Sequence, residues 1–209
     1  MLAVTLTLLL GNMAYAQPPE VWVNPASTTD PSPPFSVTID IDDVTDLYGW
    51  EFKLYYDNTI LTISTVQLGP LLNVTAGGTA NTWGIIKNQT DSYNATHGRI
   101  WAAQSIKGDR QGATVTTGTL ATLTFTVDGT SGTTPLSLED TKLIGYNYAT
   151  KTLSIIAHTT TDGSVTISAV PEFPMGLALE VALIVTIFYL WHRRKRKAPQ
   201  FLQQPQHTR

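Results

Sequence analysis

Tyr48-Gly49-Trp50-Glu51-Phe52-Lys53-Leu54-Tyr55-Tyr56-Asp57 is the stretch that decides the fold. Its apolar residues fall on every second position. Trp50, Phe52, Leu54 and Tyr56 share one face of an extended chain, and Glu51, Lys53, Tyr55 and Asp57 share the other. That period belongs to a strand with one face in a core and one in water, because successive side chains of a strand point to opposite sides. The pattern recurs on both sides. In Phe35-Ser36-Val37-Thr38-Ile39-Asp40-Ile41-Asp42 the odd positions are apolar and the even ones polar. Over residues 120–128, Ala121, Leu123, Phe125 and Val127 point inward, while Thr122, Thr124 and Thr126 form an outer ladder of a type that suits a half-buried pleated surface. Further strands are expected over 21–24, 60–66, 82–87, 99–105, 136–143 and 164–168, separated by Pro- and Gly-containing breaks such as Gly69-Pro70, Gly77-Gly78 and Asp162-Gly163. No stretch before residue 175 sustains a 3.6-residue apolar stripe. The expectation is an all-β domain over 17–168, a nine-stranded jelly-roll β-sandwich.

The two ends read differently. Residues 1–16 have the apolar run and the small-x-small close, Ala14-Tyr15-Ala16, of a secretory signal peptide, which makes Gln17 the expected mature N-terminus. Residues 169–174 read as a short stalk. Residues 175–191 are apolar apart from Glu180 and run into His192 and the cluster Arg193-Arg194-Lys195-Arg196-Lys197. Seventeen helical residues rise about 25 Å against a hydrocarbon core of about 30 Å, so this segment is expected to be a transmembrane helix with its ends drawn toward the headgroups. The basic cluster places 192–209 on the cytoplasmic side. The expected location is therefore a single-pass cell-membrane protein with residues 17–174 outside the cell.

Charge and composition exclude several classes of function. Residues 17–174 hold seven basic and fifteen acidic side chains, a net charge of −8 that the whole-chain value of −3 conceals. An acidic exterior without clustered Lys and Arg argues against nucleic acid as a partner. The absence of Cys removes disulfides, thiolate catalysis and Cys-based zinc sites. No Gly-x-Ser-x-Gly, His-Glu-x-x-His or phosphate loop occurs, and neither His97 nor His158 has a second His at metal-ligand spacing. No enzyme activity, cofactor or metal is expected. Asp40, Asp42, Asp43 and Asp46 are the densest acidic group, but without EF-hand spacing they read as a solvated strand face followed by a turn.

Three blocks, taken in order, resemble one family. Residues 48–61 resemble the cohesin pattern of an aromatic strand that ends in Tyr-Asp and is followed by an Ile-Leu pair. Residues 118–127, Gly-Thr-Leu-Ala-Thr-Leu-Thr-Phe-Thr-Val, look like the strand after that family's glycine, and 162–167, Asp-Gly-Ser-Val-Thr-Ile, look like its closing strand. The resemblance implies a sandwich related in fold to carbohydrate-binding modules, whose members bind dockerin modules and assemble polysaccharide-degrading complexes at cell surfaces. It implies that outward residues of the 48–57 strand, Glu51, Lys53 and Tyr55, meet the partner. Glu51 matches an acidic position of the family, while Gly49 stands where the family places a polar side chain. Val170-Pro171-Glu172-Phe173-Pro174, ahead of an apolar run and a basic cluster, is similar to archaeal Pro-Glu-Phe sorting signals and implies an archaeal surface protein.

The residues leave other uses of the same surface open. Exposed aromatics stack on sugar rings, so Tyr55 and Trp101 are candidates for polysaccharide binding as a carbohydrate-binding module. A structural role in the cell envelope is a third reading. Asn73, Asn88 and Asn94 each open an Asn-x-Thr glycosylation sequon, and their clustering points to exposed loops over 67–98. Intact-mass analysis of the mature protein should give a chain that begins at Gln17 and retains a peptide covering 177–191; loss of that peptide would show that the C-terminal segment is processed away.

Overall fold

A computed structural model describes residues 17–129, 131–169 and 175–195, apart from the side chains of 88–92, 175–182 and 194–195. The expected signal peptide, the stalk from residue 170 and the tail beyond Lys195 lie outside the described residues. Eleven strands form among those described: β1 Glu20–Asn24, β2 Ser27–Thr29, β3 Phe35–Asp57, β4 Leu61–Leu68, β5 Thr82–Asn94, β6 His97–Ile106, β7 Ala113–Val127, β8 Gly132–Asn147, β9 Thr152–Ile156, β10 Thr159–Thr161 and β11 Gly163–Ile167. Two helices accompany them, α1 Leu71–Ala76 and α2 Met175–Lys195. The chain divides into two units, the second beginning at Val170 and containing α2.

Strand β3 organises the first unit. Its 23 residues join what the alternation presents as two strands. The first half pairs with β1 and β7, and the second half with β6 and β8, so one strand serves both layers. One layer runs β4-β7-β3-β1-β10 and the other β5-β6-β3-β8-β9, with β11 and β2 continuing from the first part of β8. Between the halves, Asp43 and Asp46 adopt left-handed φ of 44° and 56°, and the β3–β7 register slips between Val44 and Leu47. Aspartate tolerates that region better than most residues. The acidic cluster therefore turns a corner without ending the strand.

Both inner faces feed one core. Val37, Ile39 and Ile41 from the first half of β3, and Trp50, Phe52, Leu54 and Tyr56 from the second, are all buried, as are Leu123 and Phe125 of β7. Tyr56 crosses between the layers and meets Phe125 edge-on, with ring centroids 5.3 Å apart. The expected β-sandwich and the expected inward set are thus both present, with Trp50 only 2% exposed.

Several expectations are corrected. The nine expected strands become eleven described ones: two of them merge into β3, and β2, β9 and β10 were not anticipated. β9 escapes notice because four of its five residues are exposed, so it has no alternation to read. α1 spans only six residues, too few for a periodic stripe. It begins just after Gly69, where a Cβ would lie 1.9 Å from the Thr119 carbonyl oxygen, so the close approach of β4 to β7 requires glycine there. Asp40 is 8% exposed, not on a solvated face. It keeps the outward parity between buried Ile39 and Ile41, and its carboxylate is covered by the side chains that donate to it, Asn24 Nδ2 at 2.8 Å, Thr38 Oγ1 at 3.0 Å and Thr119 Oγ1 at 2.8 Å. The segment expected to span a membrane is helical and continues through Lys195, but among the described residues no helix is long and apolar enough to cross a membrane.

The core makes a stability prediction. Phe52 is fully buried and stacks on Trp50 at 5.6 Å, so Phe52→Ala should destabilise the first unit by about 3–5 kcal/mol, read as a fall in the urea midpoint at unchanged slope.

Candidate partner-binding face

The outer face of the β5-β6-β3-β8-β9 layer brings together every residue that the sequence nominates for partner binding. Glu51, Lys53 and Tyr55 lie on β3 and alternate with the buried positions. Trp101, whose direction alternation alone leaves open, lies directly opposite Lys53 on β6, and Arg99 lies opposite Tyr55. The pairing continues to β5, where Lys87 faces Trp101 and Ile85 faces Ala103. On the other side Lys142 of β8 faces Glu51.

These side chains are largely committed to one another. Lys53 donates to Asp140; this bond holds the Asp140 carboxyl below the usual carboxylate range and raises Lys53 above the usual lysine range. Lys142 lies 3.6 Å from Glu51. Both pairs are solvent-exposed, which limits their worth to stability, so their value lies in the field they present. Tyr55 meets Tyr93 edge-on at 4.8 Å, Arg99 sits 5.6 Å from the Tyr93 ring, and Lys87 lies 5.0 Å over Trp101. Lys87 thus covers a face of Trp101 and Tyr93 packs edge-on with Tyr55, so the two residues do not form an open row of ring faces.

The sequence gives little warning of an apolar region on the same face. Across five strands, Trp83, Ser105, Gly49, Ile144 and Ile155 stand in one row. Trp83 is 64% exposed and Ile155 77% exposed, while Leu153, two residues along β9, is 63% exposed. The small residues occupy the middle of the row and the large ones its ends. The result is a depression of about 360 Å³ with Gly49 and Ala103 at its floor. A Cβ on Gly49 would already approach the Gln104 carbonyl oxygen and Ser105 Cβ at 3.2 Å. The available signal was the outward parity of Ile85 and Trp83, which can be seen only once the β5 register is known.

The sequons are dispersed. Asn73 lies on α1, where its Oδ1 accepts from Gln104 Nε2 at 3.0 Å and also from Thr82 Oγ1. The backbone of Asn88 lies within β5, and its side chain is outside the described residues. Asn94 is exposed at the end of β5, its Oδ1 accepting from the Thr96 backbone N–H at 3.0 Å. The expected loops over 67–98 are thus α1, a 3₁₀ turn at Thr79–Asn81 and the length of β5. Among the described residues no group of three or more His, Asp or Glu side chains could hold a metal.

One end of the depression is closed by a polar latch. Tyr48 packs on Tyr146 at 5.0 Å, and the Tyr146 hydroxyl donates to Asp109 Oδ1 at 2.7 Å. Lys151, 3.5 Å from the Tyr148 ring centroid, donates to Asp109 at 2.8 Å. Lys151 and Tyr146 hold the Asp109 carboxyl below its usual range, and the hydrogen bond to that carboxylate pushes the Tyr146 phenol up to about 12. The phenol bonds to Asp109 only while protonated. The latch therefore adds stability that is complete below the ordinary tyrosine pKa of about 10 and is lost as the pH rises through about 12. Alkaline absorbance titration should show one late-ionising tyrosine near 12, and Asp109→Asn should return it toward 10.

Known proteins place this architecture. The model of the family described as "Cohesin domain" matches residues 21–167. No curated relative matches the chain. Among solved structures, a non-cellulosomal cohesin from the archaeon Archaeoglobus fulgidus is similar at 14% identity and a TM-score of 0.51, over 73% of this chain and 92% of that one. The seventh ScaB type I cohesin of Pseudobacteroides cellulosolvens is similar at 20% identity and a TM-score of 0.55, over 75% and 96%. A type I cohesin–dockerin complex from Clostridium thermocellum aligns at 14% identity and a TM-score of 0.56, over 73% of this chain and all of the matched chain. At these identities the structures speak for the fold, and the family model, covering well over half of the chain, speaks for membership: this chain belongs to the cohesin family, whose domains are non-catalytic binding modules.

Proposed function

We propose that this chain is a surface-attached cohesin module that holds a dockerin-type protein on the outer face of the β5-β6-β3-β8-β9 layer, outside the cell. One observation carries the reading. That face exposes Trp83, Leu153 and Ile155 beside an array of paired charges, and such an apolar patch rimmed by polar groups marks a protein contact. Structures similar in fold include cohesins solved with dockerins. Glu51, Lys53 and Tyr55 form the polar side of the contact in this proposal. A role in assembling polysaccharide-degrading enzymes follows by analogy with those systems. Direct glycan binding is the weaker alternative, because Trp101 and Tyr55 have their ring faces or edges occupied by Lys87 and Tyr93.

Attachment to a membrane belongs to the same proposal. It is supported by the apolar side chains that α2 exposes from Leu183 to Trp191 and by the basic residues that follow them. Residues 1–16 as a secretory leader, the archaeal type of sorting segment and glycosylation at Asn73, Asn88 and Asn94 are proposed on sequence pattern alone.

The test is retention of proteins from the source organism's extract on the immobilised full-length chain, with and without EGTA, followed by soluble polysaccharide as competitor. A dockerin-bearing protein retained in calcium and released by EGTA is the expected result, and Lys53→Glu should reduce its retention. Retention that only polysaccharide releases would replace the dockerin reading with carbohydrate binding.

A further inference from the structure

Asn73 and Asn94 open the same Asn-x-Thr tripeptide in contrasting surroundings. Asn73 is half-buried on α1, and its Oδ1 is held by Gln104 and Thr82, which are themselves only 4% and 8% exposed. The Thr75 hydroxyl of that tripeptide donates one helical turn back, to the Leu71 carbonyl at 3.1 Å. A sugar on Asn73 would have to be carried against two covered side chains whose hydrogen bonds are costly to lose. Asn94 is exposed, and Asn94-Ala95-Thr96 turns the β5–β6 hairpin, with Asn94 paired to His97. Asn94 Oδ1 accepts from the Thr96 hydroxyl at 3.2 Å as well as from its backbone N–H, and His97 Nδ1 lies 3.0 Å from the same oxygen. None of these contacts uses Nδ2, the atom that carries a sugar in a sequon.

A second depression, of about 240 Å³, opens beside this turn. Asn94 is part of its lining, together with Tyr55, Tyr93, His97, Ser137 and Glu139. Strand register makes the grouping: Tyr55 of β3 stands opposite Ser137 of β8, and Asp57 stands opposite His97 of β6. Tyrosine rings supply apolar surface, while hydroxyl, imidazole and carboxylate groups supply hydrogen-bond partners, and a sugar ring requires both. The volume lies below the roughly 300–1,000 Å³ of pockets for drug-sized ligands, which suits a single small ring. The seat is a poor one for a free saccharide, because Tyr93 already packs on Tyr55. Covalent attachment changes the balance. A sugar tethered at the rim meets the seat at about millimolar effective concentration, so an affinity of about 1 mM fills it half of the time.

We infer that Asn94 is a glycosylation site and that the first sugar it carries lies against Tyr55 and Tyr93, covering that end of the partner-binding face. In the modification, Asn94 Nδ2 bonds to the anomeric carbon of a lipid-linked saccharide phosphate. The bond from that carbon to the phosphate oxygen breaks, the lipid phosphate leaves, and the amide gives up one proton; nothing is oxidised or reduced. The inference rests on the proposed export of residues 17–168. It goes beyond the sequon pattern by selecting Asn94 over Asn73, by seating the sugar and by giving it an effect: the modified chain meets its partner through Glu51 and Lys53 without Tyr55.

The test uses the full-length chain isolated from its source organism. Trypsin together with a protease that cuts before Asp91 separates the three sequons, and mass spectrometry reads each peptide. A saccharide mass on the Asn94 peptide and an unmodified Asn73 peptide are expected, and Asn94→Gln should remove the saccharide. The seat is read by nitrating the folded protein with tetranitromethane. Tyr93 and Tyr148 are similarly exposed, at 53% and 50%, and only Tyr148 lies away from the depression. Nitration of Tyr93 should be about twofold lower in the glycosylated chain than in Asn94→Gln, with Tyr148 equal in both. Thr96→Ala, which loses the sequon but keeps Asn94, should nitrate like Asn94→Gln. A sugar on Asn73, a bare Asn94, or equal nitration of Tyr93 in all three chains would overturn the inference. If Asn94 is bare in a chain that begins at Gln17, export stands and the inference alone fails; if a sugar-free chain retains residues 1–16, both fail.

Discussion

The double duty of β3 is the constraint on which the rest depends. A strand of 23 residues that pairs with β1 and β7 in one layer and with β6 and β8 in the other must change layers without losing its hydrogen bonds. Left-handed φ at Asp43 and Asp46 accomplishes this in four residues, and the register slips there instead of breaking. Once the corner is placed, the parity of each half follows. Ile39 and Ile41 face one side of the core, and Phe52 and Leu54 face it from the other. A corner displaced by one residue would invert the second half and put Glu51, Lys53 and Tyr55 into the core, since side chains alternate with a period of two.

That geometry also explains why one face can be both sticky and safe. The second half of β3 is central in its layer, so its outer surface is covered by no other element of the first unit, and its neighbours set what is exposed. Paired charges at Lys53–Asp140 and Glu51–Lys142 keep one part of the face polar. Trp83, Ile85, Leu153 and Ile155 expose apolar surface on another part of it, and Tyr48, which packs on Tyr146 of the Tyr146–Asp109–Lys151 latch, lines the same depression. An apolar patch of limited extent, rimmed by charge, favours a defined partner over general association.

Much of the layering was legible in advance, because burial on one side imposes an alternation that survives in the residues themselves. Trp50, Phe52, Leu54 and Tyr56 declared their direction, as did Leu123 and Phe125. The elements that escaped are those without such a signal. β9 is exposed on nearly all of its residues, α1 is shorter than two turns, and Asp40 keeps its outward parity but is covered by Asn24, Thr38 and Thr119, which come together only in the fold. For the site, Glu51, Lys53 and Tyr55 could be named from β3 alone. Trp83, Ile144 and Leu153 could not, because their importance comes from standing beside Gly49 and Ala103, and residues so far apart in the chain become neighbours only through strand register.

The division has a physical basis. What the sequence determined by itself was local: which residues are extended, which side of each strand seeks the core, where glycine and proline interrupt, and the net acidity of the domain. These follow from steric periodicity and composition, which each segment carries whether or not it is folded. Only the tertiary structure decided the pairing of β5 with β6 and of β8 with β9, the gathering of four cations on one face, and the trough between Trp83 and Leu153. Those features are sums over distant segments, and their register is set by the packing of the whole core.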